Sequence, residues 1–197
     1  MIILLTHILR KTKNRKPNLE ENITIYSKKE IIRKIAFSAV LMAIGIILKT
    51  ISFQTGEIRL GFYEVAVFLA GITLGPLYGG LVGLGTDLVY SLFSGYPFSA
   101  LMMTSAIMWG LIGGLLHNKK IKYLKLLAYS IVASIVATSI NSVQLYIYYG
   151  MGMFANLPTR VITMLIKWPL ITTFVWLLEE RVIKLIIKKI SYSHTKK

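Results

Sequence analysis

The sequence predicts an all-α fold, a bundle of six transmembrane helices with both termini on the cytoplasmic side. Apolar residues make up 55% of the 197 positions and the mean hydropathy is +0.64, which is more apolar surface than a soluble domain of this length can bury. All but four of the 23 Lys and Arg residues lie in three blocks, at residues 1–34, at 119–125 and after 179. The positive-inside rule places these blocks on one membrane face. The basic charge therefore indicates a lipid bilayer as partner, and no nucleic acid.

The chain divides into a basic N-terminal extension (1–34), a six-helix membrane domain (35–178) and a basic amphipathic tail (179–197). The extension opens with nine residues, MIILLTHIL, too few to span a bilayer that needs about 20. It also lacks the basic start and the cleavage site of a signal peptide. We interpret it as an interfacial anchor or a start-site artefact, and the tail as a segment that lies on the inner membrane surface.

The six apolar runs give the predicted spans. Ala39 and Ala43, in the first run, place two small side chains on one helical face, a pattern typical of close helix packing. The predicted spans are residues 35–53, 60–75, 77–95, 97–116, 124–146 and 161–178.

Spans two and three meet at a corner formed by Gly75 and Pro76. Gly71, Gly75, Gly79 and Gly83 recur every four residues across it. This spacing predicts close backbone contact between helices, and Pro76 suits the first turn of the second helix.

Span five carries a polar stripe at Ser130, Ser134, Thr138 and Ser142. Such a stripe indicates either hydrogen bonds between helices or the lining of a ligand site. We favour packing for its cytoplasmic half. For Asn141 and Gln144, near the other end of the span, ligand contact is the alternative to packing.

The connection 146–159 is rich in aromatic residues and methionine and has no charge before Arg160. It either caps a pocket or anchors the chain in the membrane interface as an aromatic belt.

The remaining charged residues are few, because ionisable groups in a membrane span cost about 2.5 to 3.5 kcal/mol each. Lys49 lies near the end of span one and is expected to snorkel to the interface. Lys167 follows Arg160 by seven residues, on the same helical face and about 10 Å further along. The full set is Lys49, Glu57, Arg59, Glu64, Asp87, Arg160 and Lys167.

These charges allow two arrangements. In one, Lys167 and Asp87 form a buried ion pair. In the other, Arg59, Arg160 and Lys167 form an electropositive funnel for a carboxylate, with arginine suited to bidentate capture.

Enzymatic functions are disfavoured. His7, His117 and His194 all lie outside the predicted spans, and the chain has no cysteine, no Walker A motif and no HExxH. We therefore expect no catalytic residue, no metal site and no cofactor. A channel or a membrane interaction protein is a weaker alternative, since no inverted repeat relates the two halves.

Two groups of motifs resemble a known family. The first comprises R-x-G-F at residues 59–62, L-A-G at 69–71 and G-P-L-Y-G at 75–79, followed by Gly83 and Asp87. The second comprises N-S-V-Q-L at 141–145, Y-G at 149–150 and L-P-T-R at 157–160, followed by Pro169. Through these motifs the chain, from about residue 35 to 178, resembles the substrate-binding S components of energy-coupling factor (ECF) vitamin transporters, and most of all their folate and pantothenate branch.

The resemblance implies six helices, a vitamin site built from the first, third and fifth loops, and no ATP hydrolysis by this chain. It implies docking on a transmembrane coupling protein and two cytoplasmic ATPase subunits, with Ala39 and Ala43 against the coupling protein. The substrate-binding candidates are Arg59, Phe62, Glu64, Tyr96, Phe98, Asn141, Gln144, Arg160, Thr163 and Lys167.

Two departures bear on the identity of the vitamin. Folate-type relatives carry Lys three residues after the L-P-x-R arginine, where this chain has Thr163 and a lysine only at Lys167. Glu64 stands where an apolar or aromatic residue is more usual. The expected ligand is folate or a folate-like carboxylated vitamin, with pantothenate and riboflavin as alternatives.

Overall fold

The computed structural model describes residues 19–55, 58–94, 100–119, 121–151 and 157–183, and in these ranges the chain is almost entirely helical. The predicted all-α, six-helix bundle is confirmed, and the side of the membrane that holds the termini stays a prediction. The α-helices are α1 (Leu19–Thr50), α2 (Tyr63–Leu74), α3 (Pro76–Ser94), α4 (Ala100–Gly114), α5 (Tyr123–Tyr149) and α6 (Leu157–Leu178), and a π-helix (Glu179–Ile183) follows α6.

A short hairpin connects α1 to α2. Strands β1 (Phe53–Thr55) and β2 (Ile58–Leu60) pair antiparallel, with Phe53 opposite Leu60. The hydropathy of the sequence did not indicate it, because each strand has only three residues and most of the hairpin lies in the polar connection between predicted spans one and two.

Several helix bounds differ from the predicted spans. Helix α1 begins at Leu19, well before the predicted start at Ile35, and ends at Thr50. Helix α2 has 12 residues and a length of about 18 Å, less than the roughly 30 Å hydrocarbon core. Among the described residues, three helices are long and apolar enough to cross a membrane, over Lys28–Thr50, Tyr123–Ile147 and Pro158–Arg181.

The connection predicted at 146–159 is shorter than expected. Helix α5 continues to Tyr149 and α6 already begins at Leu157. Gly150 follows α5 with a φ of 57°, and its N–H donates to the carbonyl of Tyr146. Residues 152–156, which carry the rest of the suggested cap, lie outside the described ranges.

The chain separates into two compact units, residues 1–36 and 37–197. In the first, Lys34 Nζ lies 3.1 Å from Glu30 Oε1 one helical turn earlier. The second unit holds the rest of the bundle and the cavity described below. The proposed division at 1–34, 35–178 and 179–197 stays a prediction.

Glycines allow α2, α3 and α4 to pack backbone against backbone. A Cβ placed on Gly79 would lie 2.5 Å from Gly71 Cα and 2.6 Å from the carbonyl oxygen of Gly110. The close contact predicted from the glycine spacing is therefore confirmed. The participation of Gly110 was not predicted, because α4 was considered only as an apolar span.

The corner between α2 and α3 forms without a loop. Gly75 has a φ of 98°, a conformation that glycine adopts at little cost, and its N–H donates to the carbonyl of Gly71 at 2.9 Å. Pro76 then begins α3, where its missing N–H has no intrahelical partner to lose. This corner keeps the first turn of α2 and the middle of α3 in fixed relation.

The core lies between α2, α4, α5 and α6. Phe68, Leu126 and Ile171 are fully buried, and the Phe68 and Trp109 rings meet edge to face with centroids 5.7 Å apart. Packing of this kind is what the apolar faces of adjoining helices provide.

One pair of hydroxyls links α5 to α6. Ser130 Oγ and Thr172 Oγ1 are 2.8 Å apart, and both residues are fully buried. This contact confirms the packing interpretation for the Ser130 end of the polar stripe.

Large apolar side chains remain exposed along the outside of the second unit. Ile44 and Ile47 on α1 are 43% and 56% exposed, and Val161 and Leu165 on α6 are 55% exposed. Faces of this size are unusual on soluble monomers and fit contact with lipid. The chain is therefore a membrane protein.

Candidate ligand-binding site

A cavity of about 270 Å³ lies within the second unit, lined by residues of all six helices. Along α5 the lining extends from Ser134 to Leu145, a distance of about 16 Å. Its volume is near the lower end of the roughly 300–1,000 Å³ typical of small-molecule sites. Its length suits an elongated ligand.

Five of the ten predicted substrate-binding residues line this cavity. Helix α2 contributes one, α5 one and α6 three, and their role in binding stays a prediction. They are Glu64, Asn141, Arg160, Thr163 and Lys167.

The other five are placed differently. Phe62 packs edge to face on Phe174, with ring centroids 6.1 Å apart, and Gln144 is buried at 5% exposure; neither is among the lining residues. Arg59 lies on β2 opposite Gln54, but its side chain is outside the described part. Tyr96 and Phe98 also lie outside the described ranges.

Glu64 and Lys167 form an ion pair at the cavity wall. Lys167 Nζ donates to Glu64 Oε1 at 2.8 Å, and the two side chains are 18% and 7% exposed respectively. The suggested pair between Lys167 and Asp87 is therefore wrong. The Glu64 carboxylate balances the charge of Lys167, and the part of Lys167 in the electropositive funnel stays a prediction.

Asp87 pairs instead with Lys49. The Lys49 ammonium donates to Asp87 Oδ1 and lies 4.7 Å and 4.8 Å from the ring centroids of Tyr63 and Tyr90. Lys49 is only 8% exposed, so the prediction that it snorkels to the interface is wrong. The physical reason is that Asp87 and two aromatic faces compensate for its desolvation.

Arg160 has no carboxylate partner among the described residues. Its Nη1 donates to Ser142 Oγ on α5 at 3.2 Å, and its side chain is half-buried. Since Lys49 and Lys167 are each paired with an acid, Arg160 is the uncompensated cation among the described residues that line the cavity. A guanidinium in this position suits a carboxylate ligand, which it can bind with two parallel hydrogen bonds.

Two cavity acceptors lack a hydrogen-bond donor within the described part of the chain. They are Glu64 Oε2 and Asn141 Oδ1. Buried acceptors normally accept a hydrogen bond, so a ligand that brings N–H or O–H groups would supply the missing hydrogen bonds. Among the residues that the structure describes, no three His, Asp or Glu side chains come together as a metal site would need.

Sequence reasoning missed several lining residues. Lys49 was assigned to the end of a span and Trp109 to an apolar run. An ionisable group and a large aromatic residue in such runs are the signals that could have identified them. Packing was favoured for Ser134, and packing and ligand lining were both left open for Thr138; both residues line the cavity. The polar stripe that contains them was the available signal for these positions. The missed residues also include Tyr63 and Asp87.

Comparison with known proteins gives the family. A family profile described as the substrate-specific component of ECF transporters matches residues 33–192. The chain belongs to this family. As an ECF substrate-specific component it is a transport subunit rather than an enzyme, and it works with an energy-coupling module.

Two similar proteins add detail. This ECF component is 29% identical over 157 residues to a protein named folate transporter FolT from Clostridium novyi (strain NT), a match that covers 76% of this chain and 83% of the relative. Its fold matches a crystal structure of FolT bound with folic acid, with a TM-score of 0.68 and 20% identity, over 75% of this chain and 92% of the other. The structural match supports the six-helix fold.

Proposed function

We propose that this chain is the folate-binding subunit of an ECF-type vitamin importer in the cell membrane. The observation that carries the proposal is Arg160, an uncompensated cation in a cavity whose lysines are both paired with acids. Folate carries two carboxylates on its glutamate and a flat ring at the other end. Arg160 binds a carboxylate, and the elongated cavity holds the rest of the molecule.

The names of the two similar proteins support the same ligand. One relative is named a folate transporter and the matched crystal structure contains folic acid. Thr163 and Glu64 depart from the pattern of folate-type relatives, so pantothenate and riboflavin are the alternative ligands to test. Riboflavin has no carboxylate and would leave Arg160 without a partner.

Replacing Arg160 with Ala tests the proposal directly. We expect the purified full-length protein in detergent to bind folic acid, and Arg160→Ala to weaken binding by at least about tenfold, or about 1.4 kcal/mol. The measurement is isothermal titration calorimetry of each protein with folic acid. Arg181→Ala is the matched control, because this arginine is exposed in the π-helix that follows the far end of α6. Unchanged affinity in folded Arg160→Ala would contradict the role.

Mass spectrometry of small molecules that co-purify with the wild-type protein identifies the vitamin. Folate in that extract supports the proposal. Pantothenate or riboflavin would redirect it to another water-soluble vitamin, and the absence of any bound small molecule would favour a channel or an interaction protein.

The chain is further proposed to hand its ligand to a transmembrane coupling protein and two cytoplasmic ATPase subunits. Ala39 and Ala43, the candidate docking residues, have exposed side chains on α1, as a surface that meets another membrane helix requires. The basic blocks are proposed to face the cytoplasm, in accord with the positive-inside rule.

A further inference from the structure

The Glu64–Lys167 ion pair has unused hydrogen-bonding capacity on both sides. Lys167 donates to Oε1 of Glu64, whereas Oε2 of the same carboxylate has no partner among the described groups. Glu64 is only 5% exposed, so water cannot easily satisfy that oxygen. An ammonium group carries three N–H donors, and the described residues accept one of them from Lys167.

Both partners line the cavity, as does Trp109. Lys167 follows Arg160 by seven residues along α6, so it lies about 10 Å from the arginine. A ligand whose carboxylate meets Arg160 would therefore bring its other end, and not its carboxylate, to the ion pair. The side chain of Trp109 gives this cavity an aromatic wall suited to a flat ring.

We propose that Glu64 and Lys167 together select the ring of the ligand by its hydrogen-bonding edge. Glu64 Oε2 accepts hydrogen bonds from ring N–H or amino groups, and Lys167 donates to a carbonyl oxygen beside them. This inference rests on the proposed function, since the 2-amino-4-oxopteridine ring of folic acid carries an amino group, a ring N–H and a carbonyl along one edge. The pair supplies an acceptor next to a donor, which complements that order of groups.

The same pair discriminates against a 4-amino ring. When an amino group replaces the carbonyl, its N–H donors face the donors of Lys167, and one buried polar group is left without a partner. Glu64 can still accept from the 2-amino group that both rings keep, although the 4-amino ring lacks the neighbouring ring N–H, and Lys167 is the residue that meets the exchanged 4-substituent itself. Selectivity for the 4-oxo ring is therefore the property that depends on Lys167.

Folic acid and aminopterin, its 4-amino analogue, are the probes. They differ only in the 4-substituent and in the hydrogen on the adjacent ring nitrogen that accompanies the 4-oxo form, and they share the same glutamate carboxylates. In titrations of the full chain in detergent at pH 8, we expect the wild type to bind folic acid at least about tenfold more tightly. In Lys167→Met this ratio should fall below about threefold, chiefly because folic acid loses affinity.

Arg160→Met is the matched control, because it removes a cation from the same helix and the same cavity. It should weaken both probes and leave their ratio at the wild-type value. The double variant Glu64→Gln with Lys167→Met removes both charges together and so avoids an isolated buried carboxylate. This double variant should also lose the preference for folic acid over aminopterin. Its melting temperature shows whether it is folded.

The outcomes separate this inference from the proposed function. Equal affinity of the wild type for the two probes, or a wild-type ratio retained by Lys167→Met, overturns the selection role while folate binding stands. Failure of the wild type to bind folic acid defeats the proposed function, and this inference with it.

Discussion

The charged side chains of the cavity have different partners and therefore different roles. Lys49 and Asp87 neutralise each other between α1 and α3, beside two tyrosine rings. Glu64 and Lys167 do the same between α2 and α6. A buried pair contributes little net stability, but the loss of one partner leaves a desolvated charge. Such pairs fix the relative positions of helices, while Arg160 keeps its charge available to a ligand.

The Lys49–Asp87 pair gives a stability prediction at the level of single residues. Asp87→Asn removes the carboxylate and leaves the ammonium buried, so we expect a loss of about 3–5 kcal/mol, measured as a lower melting temperature in detergent. Lys49→Met combined with Asp87→Asn should recover most of that loss.

Glu30→Gln is the control for this prediction, because Glu30 pairs with Lys34 but its side chain is 67% exposed. Solvent screens such a pair, and its loss should cost less than about 1 kcal/mol. Similar melting temperatures for Asp87→Asn and Glu30→Gln would contradict a structural role for the buried pair.

At the level of helices, the glycine contacts of α2, α3 and α4 determine how closely these elements approach. Gly79 and Gly110 allow backbone contact where any side chain would collide. The corner at Gly75 and Pro76 fixes where α3 begins relative to α2. The packing of these helices therefore also positions Glu64 in α2 and Asp87 in α3. The cavity wall therefore depends on residues that never touch the cavity.

Gly79→Ala should destabilise the protein. Its Cβ would lie 2.5 Å from Gly71 Cα, and since backbone atoms cannot move aside, α2 and α3 would have to separate. We expect a loss of about 1–3 kcal/mol, measured by thermal unfolding.

Gly80→Ala is the neighbouring control. Its Cβ would meet the side chains of Leu111 at 3.4 Å and Ile107 at 3.5 Å, which are ordinary contacts, and alanine is favoured over glycine in a helix by about 0.5–1 kcal/mol. This variant should be neutral or slightly more stable. A Gly80→Ala protein as unstable as Gly79→Ala would indicate that helix contact is not the cause.

At the level of the whole molecule, the outside of α1 is available to a partner. The exposed side chains of Ala39 and Ala43 lie one turn apart, and small residues let another helix approach closely. The ligand cavity is lined from the opposite end of α1, at Lys49. Docking and ligand binding can therefore be separated by substitution.

Ala39→Trp and Ala43→Trp should abolish assembly with the energy-coupling module and vitamin uptake, and leave folic acid binding unchanged. Co-purification with the module and a ligand titration measure the two properties. Ile44→Trp is the control, since Ile44 is also exposed but lies about 100° around the helix from Ala43. Loss of ligand binding in the alanine variants would indicate packing within this chain instead.

The sequence alone determined the membrane class, the six helices, the corner at Gly75 and Pro76, and the presence of Arg160 in a polar site. Hydropathy, glycine spacing and charge position are local properties, and each is readable without knowing which helices are neighbours. The family motifs also lie in short segments, so the family was predictable.

The tertiary structure decided which charges pair. Depth along a helix suggested Lys167 with Asp87, but depth does not specify which faces of α1, α2, α3 and α6 meet. In the folded chain the start of α2 faces α6 and the middle of α3 faces α1, so Glu64 pairs with Lys167 and Asp87 with Lys49. Because both pairings are long-range contacts between helix faces, only the packing of the bundle shows that Arg160, among the described cavity residues, is the cation without a carboxylate partner.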